Sequence, residues 1–364
     1  MKRVVFAGGG TGGHIYPAIA VADELRRRHP DVEAVFVGTR AGLEARIVPE
    51  AGYGIEFIVA KGLRGRGLFG KLVTIAGISV GVLQAISILI RLKPALVFGS
   101  GGFASAATLV GASLLGYPVA IQEQNSIPGL TNRLLARYAR KVYTGFKMAE
   151  KYFKGHHGVL FTGNPLRRVL FEEVNGNARA YFGFNSQSSV VLVFGGSRGA
   201  HSLNVAAVDL FKRMKNLQGI IQTGEKDFEW VSSELGEYAN RVVVRKYLDR
   251  IVLAYRASDI VIARAGALSV SEISCMRIPS ILVPYPYAAD DHQYFNAREL
   301  EDLGGCVVIR DRELSGEKLA LIVEDFISNP EKLSRMREAL EKVAVCNATE
   351  RIVDDIETTF GLKG

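Results

Sequence analysis

The 364-residue chain contains three cysteines and one tryptophan. Cys275, Cys306 and Cys346 are odd in number and far apart, which argues against a disulfide framework or a clustered metal site. They read as buried thiols of a reducing compartment. No Gly-x-x-x-x-Gly-Lys-Ser/Thr loop is present, so a P-loop NTPase is not supported. No Asp-x-Asp pair occurs either, and no essential metal is expected in a site. Helix-turn-helix, zinc-finger and RNP signatures are absent and the basic residues are dispersed, so nucleic acid is not an expected partner. The apolar run after Met1-Lys2-Arg3 stops at Ala7, too short for a signal peptide, and a cytoplasmic protein is expected.

One long uncharged stretch exists, Leu72 to Ile90. Its length would allow a bilayer span, but Thr74, Gly77, Ser79, Gly81, Gln84 and Ser87 interrupt it. It also falls where a helical crossover between two strands is due. A buried crossover is therefore preferred, with lipid insertion left open.

Hydrophobic residues make up 48% of the chain and charged residues 23%, the balance of a globular protein. The net charge of +8 and the pI near 9.3 call for phosphorylated ligands or an anionic membrane surface as partners. Apolar β-type runs alternate with helical patterns almost to the end. Strands are expected at Val4–Ala7, Ala34–Val37, Ile55–Val59, Ala95–Phe98, Val119–Gln122 and Lys141–Thr144. A second series follows at Val190–Phe194, Gly219–Gln222, Val242–Val244, Ile260–Ala263, Ser280–Val283 and Val307–Ile309. This pattern predicts an α/β protein with two doubly wound parallel sheets, Rossmann-like in kind. The series breaks at Gly163-Asn164-Pro165, which suggests domains of 1–163 and 164–345, with a last helix in 346–364 packing back on the first.

Each half opens on the same device. Val4-Val5-Phe6-Ala7 runs into Gly8-Gly9-Gly10-Thr11-Gly12-Gly13-His14, and Val191-Leu192-Val193-Phe194 into Gly195-Gly196-Ser197-Arg198-Gly199-Ala200. A strand, a turn nearly free of side chains and a helix start present backbone N–H groups to phosphate. Two such turns suggest two nucleotide-type domains facing one cleft, as in a sugar-nucleotide glycosyltransferase. Phe98-Gly99-Ser100-Gly101-Gly102 offers a third junction of this type.

His14 sits in the first helical turn, where the positive helix end favours a neutral imidazole able to act as base. Local capping or packing explains the same residue equally well. Arg264-Ala265-Gly266 leads from a strand into Ala267-Leu268-Ser269-Val270-Ser271-Glu272, whose carboxylate could accept two ribose hydroxyls or simply cap the helix dipole. Asp291-His292-Gln293 could reach sugar hydroxyls or cap a helix. Lys61, Leu63, Arg64, Arg66, Leu68, Phe69 and Lys71 mix basic and apolar residues, which suits an anionic lipid surface or a solvated loop.

Gly-Gly-Thr-Gly-Gly-His, Glu-Gln-Asn, Asn-Pro-x-Arg, Gly-Gly-Ser-x-Gly-Ala, Gly-Ala-Leu-x-Val-Ser-Glu and Gln-Tyr-x-Asn-Ala occur in that order across nearly the whole chain. This ordered set resembles the MurG family of peptidoglycan N-acetylglucosaminyltransferases. The resemblance implies a GT-B fold, with the donor UDP-GlcNAc held mainly by the second domain. The lipid-linked acceptor, lipid I, and an anionic membrane surface would belong to the first, placing the protein peripherally on the cytoplasmic face of the cell membrane. It implies donor contacts from Thr11, Gly12, Gly13, Asn125, Arg167 and Ser197, and from Leu248, whose backbone would read the uracil edge. Ala267, Leu268, Ser269, Val270, Ser271 and Glu272 would hold the nucleoside, with Glu272 on the ribose, and Gln293 would hold the GlcNAc. His14 and Glu123 match positions considered for catalysis or acceptor binding. Gln122 departs from the family pattern, which often has histidine there.

The expected reaction is an inverting GlcNAc transfer with no cofactor. Two alternatives stand beside it. A related GT-B enzyme could use a diacylglycerol acceptor. An NADP-dependent oxidoreductase could use Gly8-x-Gly10-x-x-Gly13, with Arg40 on the 2′-phosphate, although its second strand ends without the acid that NAD requires.

Overall fold

The computed structural model describes residues 2–59, 68–173, 176–185 and 187–362, the side chains of 68–78 excepted. The chain forms two compact units, Met1–Arg167 with Val345–Gly364, and Arg168–Ala344.

The first unit holds β1 (Arg3–Gly8), β2 (Glu33–Gly38), β3 (Gly54–Phe57), β4 (Leu96–Gly101), β5 (Val119–Glu123), β6 (Lys141–Thr144) and β7 (Val159–Phe161). They form one parallel sheet in the order β3-β2-β1-β4-β5-β6-β7. β1, β4 and β5 are buried on both faces, which is why they read as unbroken apolar runs. Phe6 stacks on Phe36 at 5.2 Å and tilts against Phe98 at 5.5 Å in the middle of this core. The helix Leu68–Leu92 is the crossover from β3 to β4, and Ala85, Ile88 and Leu89 near its end are buried. Among the described residues no helix is long and apolar enough to cross a membrane.

The second unit holds β8 (Val190–Phe194), β9 (Gln218–Gln222), β10 (Val242–Arg245), β11 (Ile260–Ala263), β12 (Ser280–Leu282) and β13 (Cys306–Val308), parallel in the order β10-β9-β8-β11-β12-β13. The helices His201–Arg213 and Gly316–Ser328 cover one face through Leu203, Ala207, Phe211, Leu319, Val323 and Phe326.

In each sheet the strand order reverses once, between β1 and β4 and between β8 and β11. Crevices for ligands open beyond the carboxyl ends of strands at such reversals. The two glycine turns end β1 and β8, so both motifs stand at these points.

The first unit runs to Arg167, four residues beyond the expected boundary at 163. The reason is Asn164, which is buried and donates its amide to the Gln124 carbonyl while accepting from Gln122. An asparagine satisfied in this way is part of a core. The helix Ala348–Phe360 then returns to the first unit. Ile352, Val353 and Ile356 are fully buried there, each worth roughly 1.5–3 kcal/mol. Asp355 accepts from Lys141 at 2.7 Å and from Tyr143 at 2.8 Å, which fixes the helix across β6.

Cys306 is a buried free thiol, and burial pushes its pKa up. Cys275 and Cys346 correct the expectation of thiols, since both are disulfide-bonded.

Candidate active site

In the first unit, β1 ends in the glycine turn and the helix Gly12–Arg28 starts at once, earlier than its apolar pattern suggests. The Thr11 carbonyl accepts from the His14 and Ile15 N–H groups and so fixes the start of the helix. His14 is half-buried, and its ring lies against the end of β4. Nδ1 is 2.8 Å from the Ser100 carbonyl oxygen and 3.2 Å from Gln124 Oε1. Both partners are acceptors, so Nδ1 carries a proton, and Nε2 is the nitrogen that acts as base whenever the ring is neutral.

Gln124 is held in turn. Its amide donates to the Ser100 carbonyl at 2.7 Å and to Gln122 Oε1, whose own amide donates to Asn164 at 3.0 Å. Gln122 and Gln124 are almost wholly buried, and this chain of amides gives β5 a rigid hold on the imidazole. Gln122, the departure from the family pattern, is an integral member of it.

Glu123, the other candidate for catalysis or acceptor binding, is enclosed. It is 1% exposed, and its oxygens accept from the Asn125 N–H and side chain, the Gly129 N–H and the Asn132 side chain. Burial raises its pKa, while these donors act against the rise. A carboxylate so enclosed shapes the loop 124–129. Asn125 is bound to it at 2.9 Å through the backbone.

Thr11 and Gly13 are exposed at the rim of the turn. Arg167 stacks on the Tyr16 ring at 4.6 Å, which orients its guanidinium beside the same helix. Lys61, Leu63, Arg64 and Arg66 lie outside the described residues. Leu68, Phe69 and Lys71 lie in the crossover helix, their side chains outside the description.

In the second unit, Gly195 to Gly199 form the turn after β8. Gly196 has φ 87° with nothing near the position of a Cβ, and Ser197 is exposed. The outer side of this turn is therefore open to a ligand. Its inner side is tight, because a Cβ on Gly199 would overlap the Thr223 carbonyl. Across the strand reversal, Gly266 caps the helix Ala267–Cys275. Ala267 and Val270 point into the core, Leu268 and Ser269 are half-buried, and the Ser271 hydroxyl donates to the Ala267 carbonyl. Glu272 is half-buried, and Tyr255 donates its hydroxyl to Oε2 at 2.9 Å.

Gln293 accepts from the Tyr285 N–H at 2.9 Å through Oε1, which turns its amide NH₂ to the other side as a donor. Leu248 is buried, and its N–H donates to Gln222 Oε1 at 2.9 Å. That N–H is engaged, so reading a base edge through this backbone falls to the carbonyl unless Gln222 turns away.

Comparison with known proteins agrees with this layout. Residues 4–144 match the glycosyltransferase family 28 N-terminal domain, and residues 190–352 the family 28 C-terminal domain. A protein of Anaeromyxobacter dehalogenans (strain 2CP-C) is 42% identical over 97% of this chain and 91% of its own length. It is named UDP-N-acetylglucosamine–N-acetylmuramyl-(pentapeptide) pyrophosphoryl-undecaprenol N-acetylglucosamine transferase. A protein of the same name from Thermoanaerobacter sp. (strain X514) is 40% identical over 96% of this chain and 98% of its own. The chain belongs to the MurG branch of glycosyltransferase family 28.

The crystal structure of Acinetobacter baumannii MurG is similar at a TM-score of 0.78 and 28% identity, covering 98% of this chain and 100% of that one. The two Rossmann-like units are thus those of the GT-B fold. UDP-GlcNAc 2-epimerase from Neisseria meningitidis, bound to UDP-GlcNAc, shares the fold at 14% identity and a TM-score of 0.71, covering 98% and 100% of the two chains. Membership of the family removes the oxidoreductase alternative.

Several residues that build the site carry no signal in the sequence. Glu44 and Tyr255 lie in ordinary helical stretches. Gln222 joins two loops, since its amide also donates to the Gly196 carbonyl at 3.0 Å. Arg264 is buried, pairs with Asp311 at 2.6 Å, and donates to the Val283 and Pro284 carbonyls and to Ser202. It ties the ends of β11 and β12 to the helix after the second glycine turn. Only its position before Ala265-Gly266 marked it in the sequence.

Proposed function

We propose that this enzyme transfers GlcNAc from UDP-GlcNAc to the C4 hydroxyl of MurNAc in undecaprenyl-diphospho-MurNAc-pentapeptide, a step of cell-wall peptidoglycan synthesis. The observation that carries the reading is the near full-length match to relatives named for this transfer. The second unit holds the donor, with Ser197 and the open turn at the diphosphate, Glu272 on the ribose and Gln293 on the sugar. The first unit supplies the base.

The acceptor oxygen attacks the anomeric carbon while the bond from that carbon to the UDP oxygen breaks on the opposite face. UDP leaves with the electron pair, and the configuration inverts to a β-linkage. The acceptor proton passes to His14 Nε2. Support for His14 comes from the Ser100 carbonyl, which fixes the tautomer, and from Gln124, which fixes the ring. As the ring becomes imidazolium, the same two acceptors stabilise its charge. The Glu123 carboxylate is assigned to loop positioning, because its oxygens are already occupied.

We place the protein peripherally at the cytoplasmic membrane face, held there by the basic and apolar residues of 61–71. The test is transfer of labelled GlcNAc to purified lipid-linked MurNAc-pentapeptide, with a diacylglycerol acceptor in parallel. Labelled product and stoichiometric UDP are expected from the first acceptor alone. Transfer to diacylglycerol instead would replace this reading with the related lipid glycosyltransferase.

A further inference from the structure

The first glycine turn is filled from within. Glu44 opens the short helix Glu44–Glu50 after β2 and is 1% exposed. Its carboxylate accepts from the Gly10 N–H at 3.0 Å, the Thr39 N–H at 2.9 Å and the Thr39 hydroxyl at 2.8 Å. Among the described residues no Lys, Arg or His forms an ion pair with it.

The position of this carboxylate has a chemical meaning. In a Rossmann domain that binds a dinucleotide, the turn after the first strand takes the pyrophosphate, and the end of the second strand takes the ribose. Glu44 bridges these two places, through Gly10 on one side and Thr39 on the other. The glycines conform to it. A Cβ on Gly9 would come within 2.5 Å of Glu44 Oε1, one on Gly38 within 2.5 Å of its Cγ, and one on Gly42 would overlap the carboxylate itself. Gly9 of the turn, Gly38 at the end of the second strand and Gly42 beyond it are thus shaped around a side chain of the protein. The second turn differs, since Gly196 has no neighbour at the position of a Cβ and Ser197 is exposed.

We propose that Glu44 is a built-in anion that occupies the phosphate–ribose place of the first glycine turn. It balances the positive N–H groups there, sets the turn from which His14 projects, and closes this unit's own nucleotide position. The exposed rim, Thr11 to Gly13, remains for other contacts. This inference rests on the reading that the nucleotide donor belongs to the second unit. It explains how a sequence with the dinucleotide fingerprint Gly8-x-Gly10-x-x-Gly13 dispenses with nucleotide there.

Two variants test it. Glu44→Ala vacates the place, and Glu44→Gln fills it without charge. Both should melt at lower temperature than wild type. Both should also lose turnover by about 10²-fold, the effect of displacing a reacting group by ~1 Å. Formate should raise the melting temperature of Glu44→Ala and recover its turnover, beyond any effect of chloride at equal ionic strength. Wild type and Glu44→Gln should not respond to formate. The proposal fails if Glu44→Gln matches wild type in melting temperature and turnover, or if formate does no more for Glu44→Ala than chloride does. Should Glu44→Ala not fold, the comparison of Glu44→Gln with wild type decides. UDP affinity, measured separately, should be unchanged in both variants. A loss of it would put the nucleotide on the first turn and overturn the donor reading as well, whereas failed rescue with UDP binding intact overturns this inference alone.

Discussion

Gly101 and His14 are in direct contact: a Cβ on Gly101 would lie 2.8 Å from both Cε1 and Nδ1 of the imidazole. Gly101 also has φ 104°, in the region that L side chains avoid. The absence of a side chain at the end of β4 is therefore a condition for the ring to reach the Ser100 carbonyl. Gly101→Ala should displace the imidazole and add backbone strain of about 1–3 kcal/mol. Turnover should fall while UDP affinity, which the proposed function assigns to the second unit, is retained. Initial rates and UDP titration of the folded variant check this, and unchanged turnover would show that the ring position does not matter.

The link between Tyr255 and Glu272 gives a graded prediction. On the proposed donor reading, Glu272→Ala removes the carboxylate assigned to the ribose hydroxyls, and UDP binding should weaken by roughly 1.5–3 kcal/mol. Tyr255→Phe removes only the hydroxyl that donates to Glu272 Oε2, and should cost about 0.5–1.5 kcal/mol. Calorimetric titration with UDP reads both. A Tyr255→Phe loss as large as that of Glu272→Ala would mean that the tyrosine itself contacts the nucleotide.

Strands with both faces covered were legible in the sequence because burial on two sides leaves one signal, an unbroken apolar run. Val190–Phe194 and Ile260–Ala263 fall where those runs are. β7 was missed, since Val159–Phe161 is a three-residue edge strand with nothing to alternate. The helix after β1 begins at Gly12, although its apolar pattern starts near Pro17, because the Thr11 carbonyl nucleates it and glycine propensity does not. Asn164-Pro165 read as a linker because proline punctuates a chain in either setting, and only the contacts of Asn164 reveal it as core. Glycine turns announce a place for a ligand, yet the occupant of the first turn is Glu44, 34 residues from Gly10. A contact across such a separation leaves no local pattern to read.

The segment 61–71 supplies a prediction independent of the site. Its basic residues Lys61, Arg64, Arg66 and Lys71 should each contribute about 1 kcal/mol on an anionic surface. Reversing all four charges should release the protein from phosphatidylserine-containing vesicles in a sedimentation assay. High salt should do the same to wild type, while UDP binding stays intact. Sedimentation that ignores both charge reversal and salt would move the anchor elsewhere.

The pairing at the end of the helix Gly12–Arg28 predicts a pH dependence. Glu24 is 7% exposed and accepts from Arg27 at 2.7 Å and from Arg28 at 2.6 Å. The hydrogen bond from Arg27 is the main cause that holds its carboxyl below the usual range; burial opposes it, and Arg28 adds to it. A lowered folded-state pKa means stability present above the unfolded value, near 4.3, and lost as pH falls through the folded one. Arg27 is half-exposed and its share is screened, so about 1–2 kcal/mol is expected from the cluster. Glu24→Gln should be destabilised by that amount at pH 7, and the gap should shrink as pH drops below about 4. Denaturant unfolding at both pH values measures it, and a gap independent of pH would assign the loss to packing.

On the proposed reaction His14 is the base, and that assignment is directly testable. With Nδ1 committed to Ser100 and Gln124, Nε2 is the only ring atom that can take the acceptor proton. General-base assistance is worth about 10²–10⁴-fold, so His14→Ala should lower turnover by that order and leave UDP affinity largely unchanged. The acidic limb of the rate profile, which reports protonation of a neutral base, should flatten in the variant. Gln124→Ala offers the complementary case, because it keeps the base and removes one of the two acceptors that hold it. Its turnover should fall by less than that of His14→Ala, with the acidic limb preserved. If His14→Ala kept wild-type turnover, or lost only UDP-GlcNAc binding, His14 would be a phosphate-side or structural residue. The enclosed Glu123 would then have to open its loop to serve as base, and exchange of the Gly129 and Asn125 amides under turnover would reveal that opening.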